Sequence, residues 1–267
     1  MFLIVASRRD PASLNIADKL LKFYGFKPSN LIGETEIYEA GNVKLAIISE
    51  EEVYAENLHE VFPDAEAIVF ASRHASESRE PTLTVHVPGN LTAENLHGGK
   101  PKELAYADPQ RMALALRKLI EEAPAGFRVS LEATHHGPSS LPVPVWFVEI
   151  GSSLTQWENP EAGAAVAKAI WNSISGEPSG IGAVGFGGSH YAPKHTKVSL
   201  EGRYVVGHIF PKYVLDAEID VEVLRQAINK TRNFGAAIID WKGVKGETRR
   251  RLLGALEGLG VKEVVRV

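Results

Sequence analysis

The sequence predicts an α/β layered fold, three layers built around a largely parallel or mixed sheet. Three observations carry that expectation. Short Val- and Ile-rich runs alternate with amphipathic helical stretches along the chain, the order that builds βαβ units. Several of those runs are apolar at nearly every position, as strands covered on both faces are. Three helices also start with one device, an Asx N-cap followed by proline, at Asp10–Pro11, Asp108–Pro109 and Asn159–Pro160. The Asx side chain accepts first-turn amides, and proline at the first helical position has no N–H to leave unpaired.

In chain order, residues 2–6 form the first strand; the stretch FLIVAS lacks the basic start and small-residue cleavage site of a signal peptide. The helix opening at Pro11 carries Leu14, Ala17, Leu20, Leu21 and Tyr24 at helical spacing and stops at Gly25. Runs 44–48, 67–71 and 83–87 read as strands. The helix opening at Pro109 shows Met112, Leu116, Leu119, Ile120 and Ala123 before Pro124. Strands follow at 128–133 and 144–150, then the helix opening at Pro160. Further strands at 204–209, 236–240 and 262–267 alternate with helices near 220–231 and 247–259, the last with Leu252, Leu253, Leu256 and Leu259 on one face. The Gly-, Pro- and Ser-rich stretch SISGEPSG (173–180) is the one seam. It divides a main α/β domain, 1–175, from a smaller α/β part, 176–267, or else the two run together as one continuous domain.

The chain has no cysteine, which excludes disulfide partners, thiolate nucleophiles and Cys-ligated zinc and fits a cytoplasmic protein. Its longest apolar runs are strand-length, too short to span a bilayer. A net charge of −4 conceals polarity: residues 32–66 hold ten acids and only Lys44, while WKGVKGETRRR (241–251) holds five bases and Glu247. Each run taken alone is ordinarily a solvated face, yet a polarised molecule can bind a polyanion at its basic end.

Polar residues interrupt the apolar strands at their carboxyl ends, where open α/β sheets gather ligands. They are Ser72, Arg73 and His74; His86; Glu132, Thr134, His135 and His136; and Glu149, Ser152 and Ser153. In a regular strand Glu132, Thr134 and His136 share one face and His135 takes the other. The adjacent histidines meet at one metal only if the chain turns, and the Gly–Pro of HHGP supplies such a turn. Glu149 continues the Val145–Phe147 face, where a carboxylate needs a cation, a metal or donors, or stays protonated. His59 and His97 sit in polar contexts and read as structural. The glycine-rich stretch 179–197 matches neither a dinucleotide fingerprint nor a P-loop. With His190, Tyr191, Lys194, His195 and Lys197 it reads as a loop suited to clamp a sugar–phosphate end and a base, or as a plain surface loop.

SRHAS, LTVHVPGN, EATHHGPSS, WFVEIGSS and GFGGSHYAPKHT, in that order, together resemble the archaeal and plant-type D-aminoacyl-tRNA deacylases, and the likeness runs across essentially the whole chain. It implies hydrolysis of the ester joining a D-amino acid to the 3′-terminal ribose of tRNA. It also implies zinc as cofactor and a fold similar to peptidyl-tRNA hydrolases and purine nucleoside phosphorylases. Within that reading His74, His86, His135 and His190 are the candidate zinc ligands, and Glu132, Thr134, His136 and Glu149 the candidate catalytic residues. Thr134 or Ser152 as a covalent nucleophile is the rival mechanism, although no nucleophile elbow is present. Lys194, His195, Lys197, Arg203, Arg249, Arg250 and Arg251 are the candidate tRNA contacts, on a protein expected to be a monomer with no membrane partner. The rival functions are a phosphorylase-like or peptidyl-tRNA hydrolase-like enzyme, and a tRNA 3′-end binding protein without catalysis.

Overall fold

A computed structural model describes residues 1–77 and 79–267. The chain begins with β1 (Phe2–Ser7) and α1 (Pro11–Phe23), where the Asp10 carboxylate accepts from the amides of Ala12 and Ser13. Then come β2 (Lys27–Pro28), β3 (Glu36–Ala40), β4 (Val43–Ile48), the single turn α2 (Leu58–Val61), β5 (Ala67–Ala75) and β6 (Thr82–His86). Asp108 caps α3 (Pro109–Glu122); β7 (Arg128–Leu131), β8 (Val145–Ser152) and α4 (Leu154–Trp157) follow, and Asn159 caps α5 (Pro160–Ser175). The remainder is β9 (Ile181–Phe186), α6 (Pro193–Glu201), β10 (Tyr204–Phe210), α7 (Lys212–Ala217), α8 (Val221–Asn229), β11 (Phe234–Ile239), α9 (Gly246–Gly258) and β12 (Val264–Arg266). All three Asx-Pro caps are as the sequence predicts.

Two sheets result. The larger has the order β2-β3-β4-β1-β5-β8-β6-β7 and is mixed; the smaller has the order β10-β9-β11-β12 and is wholly parallel. This is the predicted α/β class. Every residue of β8 is buried, which explains its near-continuous apolar sequence: it lies inside the sheet between β5 and β6. The chain passes from one sheet to the other just after α5, and helix α3 packs on strands of both. There Arg111 donates to the carbonyls of Ser173 and Ile174 at 2.8 and 2.9 Å, and Gln110 to that of Gly180 at 3.1 Å. One hydrophobic cluster accordingly contains Ile4, Phe70 and Trp146 from the large sheet with Val206 and Ile238 from the small one.

The stretch read as a glycine-rich loop is instead a strand, a short turn and a helix. In β9 a Cβ on Gly182 would meet the Arg232 carbonyl oxygen at 2.2 Å, and one on Gly185 the His195 ring at 2.5 Å. These glycines permit close packing inside a sheet, with the turn confined to residues 187–192. Helix α6 escapes a search for apolar periodicity because three of its four buried residues, His195, Thr196 and Ser199, are polar.

Candidate functional site

Strand register gathers the site onto one face of the large sheet. β5 and β8 are parallel and place Phe70, Ser72 and His74 beside Phe147, Glu149 and Gly151. β6 runs antiparallel to β8, with Thr84 opposite Glu149 and His86 opposite Phe147. Since side chains alternate along a strand, Ser72, His74, Phe147, Glu149, Thr84 and His86 share that face. The expectation of a common carboxyl edge is therefore corrected. β6 and β7 point opposite to β5 and β8, and the polar residues meet over the middle of the sheet. His86 lies flat on Phe147, the rings 5.1 Å apart and 11° from coplanar, and Phe147 stacks in turn on Phe70.

The segment after β7 closes over this face. The Ala133 amide donates to the His190 carbonyl at 2.7 Å and the Thr134 amide to the Ile209 carbonyl at 3.0 Å, tying the segment to the small sheet. His136 then takes a left-handed conformation, φ 46°, and the chain turns. Both adjacent histidines consequently join the cluster. The His135 ring lies 4.3 Å from His86, 4.3 Å from His136 and 4.8 Å from His190.

Glu132 is the centre of the group. One oxygen lies 3.3 Å from His74 Nδ1; the other lies 3.3 Å from His190 Nε2 and 3.7 Å from His135 Nε2. Burial works against its charge, but the approaching histidines outweigh it and hold the carboxyl well below the usual carboxylate range. Burial likewise opposes a charge on His74, yet Glu132 and Glu149 raise it to about 9. Glu149, within 3.5 Å of His86 Nε2, is pushed well above the usual range by burial and then by the charge of Glu132. The two carboxyl groups on one face are thus driven in opposite directions, Glu132 toward the charged form and Glu149 toward the neutral one. Burial lowers His86 to about 4 and pushes His135 and His136 well below the ordinary histidine value.

Carbonyl oxygens only accept, so they fix the tautomers. His135 Nδ1 donates to the Ala133 carbonyl at 2.8 Å and His136 Nδ1 to the Gly137 carbonyl at 2.6 Å. In both rings Nε2 is left with its lone pair free. Both Glu132 oxygens and both His86 nitrogens are buried without a hydrogen-bond partner, a costly condition unless a ligand satisfies them. His74, Glu132, His135 and His190 each offer a ligand atom, all within 4.8 Å of one another. Three imidazoles and a carboxylate are a donor set that suits zinc. His86 belongs to two neighbouring sets, one with His135 and His136 and one with Glu132 and Glu149.

Beside the cluster opens a cavity of about 610 Å³, lined by His135 and His136, by residues 89–94 with Leu96 and His97, and by residues of α7. His97, read from sequence as structural, lines it, as do Leu96 and Tyr213. Tyr191, named from sequence only as part of a clamp for the sugar–phosphate end, instead stands beside the cluster, its hydroxyl 3.1 Å from His74 Nε2.

The structure corrects two predicted roles. Thr134 is buried and its hydroxyl is engaged on both sides: it donates to His208 Nδ1 at 3.3 Å and accepts from the Ile209 amide at 3.1 Å. These bonds make it a clamp between the segment and the small sheet. Ser152, the other candidate, is spent on the Glu80 carbonyl at 2.7 Å. His195 is wholly buried, with Nε2 facing the Ile238 carbonyl, so it cannot touch a tRNA surface. The remaining basic candidates lie outside the cluster. Lys194 is held by Asp240 and the Val267 carbonyl at 2.6 and 2.9 Å, and Arg249 packs on the Trp241 ring. Arg203 and Lys197 are 75% and 79% exposed, and Arg250 and Arg251 are exposed on α9. Among the described residues no helix is long and apolar enough to cross a membrane.

A family model described as D-aminoacyl-tRNA deacylase matches residues 61–264. The D-aminoacyl-tRNA deacylase of Pyrococcus furiosus is 40% identical over 98% of both chains. That of Methanocaldococcus jannaschii is 36% identical over 98% of both. A crystal structure described as a conserved protein of unknown function is 37% identical and superposes with a TM-score of 0.91, covering 100% of this chain and 95% of its own.

Proposed function

This chain belongs to the D-aminoacyl-tRNA deacylase family, and on that premise we infer that it hydrolyses the ester of D-aminoacyl-tRNA at the cluster around Glu132, releasing tRNA and the D-amino acid. The observation that carries the placement is the gathering of Glu132 with His74, His135 and His190, ligand atoms within 4.8 Å, beside a cavity that His135 lines. An aminoacyl ester needs a positioned water, a proton acceptor, and stabilisation of the oxyanion as the carbonyl is attacked.

We assign His74, Glu132, His135 and His190 as the residues that would hold zinc, with His86 and Glu149 beneath them. Bound there, zinc would polarise the ester carbonyl and lower the pKa of water. The ionised Glu132 supplies the negative charge that favours a cation at this place. Burial and the charge of Glu132 favour the neutral form of Glu149, which spares the site a second buried anion. His136, with its Nε2 lone pair free and its ring held by the Gly137 carbonyl, is placed to accept a proton from the attacking water. Tyr191 holds His74 from the other side.

Purified protein is to be assayed on D-Tyr-tRNA and L-Tyr-tRNA, each with and without a chelator, with metal content measured in parallel. D-selective, chelator-sensitive turnover with about one zinc per chain is the expected result. D-selective turnover from metal-free protein would remove zinc and leave the carboxylate and His136. Absence of turnover on both substrates would overturn the assignment.

A further inference from the structure

The cavity beside His135 and His136 is large enough for either end of the substrate, since about 610 Å³ lies well within the range of pockets that hold whole small ligands. From the reacting carbonyl the substrate diverges in two directions, toward the ribose with adenine and toward the amino acid. The walls distinguish them. Leu91, Leu96, Tyr213 and Val214 make the lining mainly apolar. Leu96 is 80% and Tyr213 59% exposed, a poor use of apolar surface unless something covers it.

The charged groups of the lining are Glu94, Glu218 and Asp220, with no lysine or arginine among them. A nucleotide end carries phosphates and would meet like charge here; an aminoacyl end carries an ammonium and would meet its complement. Asp220 and Glu218 already have Lys102 at 2.7 and 3.5 Å. Glu94 has no ion pair among the described residues, and it is left as the acid able to receive a new cation.

We propose that this cavity is the seat of the aminoacyl group, its α-ammonium held by Glu94 and its side chain against Leu91, Leu96 and Tyr213, while the terminal adenosine lies outside it. The proposal rests on the deacylase reading. It gives that reading a basis for choosing hand: carbonyl, ammonium and side chain are each fixed, and exchanging configuration at Cα sends an apolar side chain to the acid or the ammonium to the leucines. It also gives breadth, because the side chain meets an open apolar wall with no pocket shaped to one residue.

The test compares D-Tyr-tRNA with D-Ala-tRNA. Ala217→Trp fills the cavity from an exposed position on α7 and should reduce kcat/KM for D-Tyr-tRNA at least tenfold more than for D-Ala-tRNA. Leu96→Ala, at a position with little packing to lose, should raise KM for D-Tyr-tRNA more than for D-Ala-tRNA. Glu94→Gln should raise KM for both and narrow the preference for D over L. Equal losses on the two D substrates with Ala217→Trp would place the terminal nucleotide in the cavity and overturn the proposal. Unchanged kinetics in all three variants would put the cavity outside the substrate's path and overturn it too. Inactivity of the unmodified protein on both D substrates would instead sink the deacylase reading.

Discussion

Thr134 reaches across from the large sheet to donate its hydroxyl hydrogen to Nδ1 of His208 on β10, 3.3 Å away. The direction of that bond is fixed. His208 Nε2 faces the Ala105 carbonyl at 3.1 Å and must carry the ring's proton, and burial lowers this histidine to about 3. The same hydroxyl accepts from the Ile209 amide. The segment bearing His135 and His136 is thereby pinned to the small sheet.

Thr134→Val should therefore cost stability, because it strands a buried imidazole nitrogen and a buried amide, each worth ~1–3 kcal/mol. Thr134→Ser should restore most of it. Denaturant unfolding midpoints check the first effect. Turnover checks the role: the valine variant should have a lowered kcat with KM little changed, while complete loss with native stability would return the hydroxyl to the chemistry.

Glu132 and Glu149 should respond oppositely to the same substitution. Glu132→Gln removes the charge that gathers His74, His135 and His190, and kcat/KM should fall by at least ~10²-fold; if the proposed zinc is held there, measured metal content should fall in parallel. Glu149→Gln puts a neutral amide of the same shape where burial already favours the neutral carboxyl, and should stay within ~10-fold. Equal losses would mean that Glu149 acts as an anion despite its burial.

Binding of the tRNA body should depend on salt, since each phosphate that pairs with a cationic side chain releases a counterion. Lys197, Arg203, Arg250 and Arg251 remain the exposed candidates. Raising ionic strength should raise KM with kcat little altered. Arg250→Glu with Arg251→Glu should flatten the dependence of log KM on log salt by ~1 for each phosphate that these arginines no longer neutralise. An unchanged slope would place the tRNA on another surface.

Much of this was legible because local chemistry announces itself. Asp10, Asp108 and Asn159 had to cap helices, and Glu149 in an apolar strand had to have a reason. His74, His86, Glu132, His135, His136 and His190 were each visible as polar residues in or beside buried segments. Their arrangement was not, because the antiparallel insertion of β6 beside β8 is a long-range pairing that no local pattern encodes. The same holds for His195, which looks like a surface ligand beside two lysines and is buried only because Gly185 lets α6 approach β9. The cavity was hidden for a different reason: Leu96 and Tyr213 look like scattered surface apolar residues until the fold sets them side by side.

Near α1, Glu52 supplies a pH test separate from the active site. It is buried at 3% exposure, and one of its oxygens has no hydrogen-bond partner. Burial, and after it the charge of Asp10, raise its pKa to about 8 from an ordinary 4.5. A carboxyl whose folded value is raised binds its proton more tightly in the folded state. Its contribution to stability is complete below pH 4.5 and is lost progressively as pH rises toward about 8. The slope is bounded by ~1.4 kcal/mol per pH unit for one group. Stability measured by denaturant should decline across that window in the native sequence, beyond any decline in Glu52→Gln, and the variant should be the more stable of the two above pH 8. Parallel curves for the two proteins from pH 5 to 9 would show that Glu52 is ionised in the fold, with Arg73 as the cation to examine next.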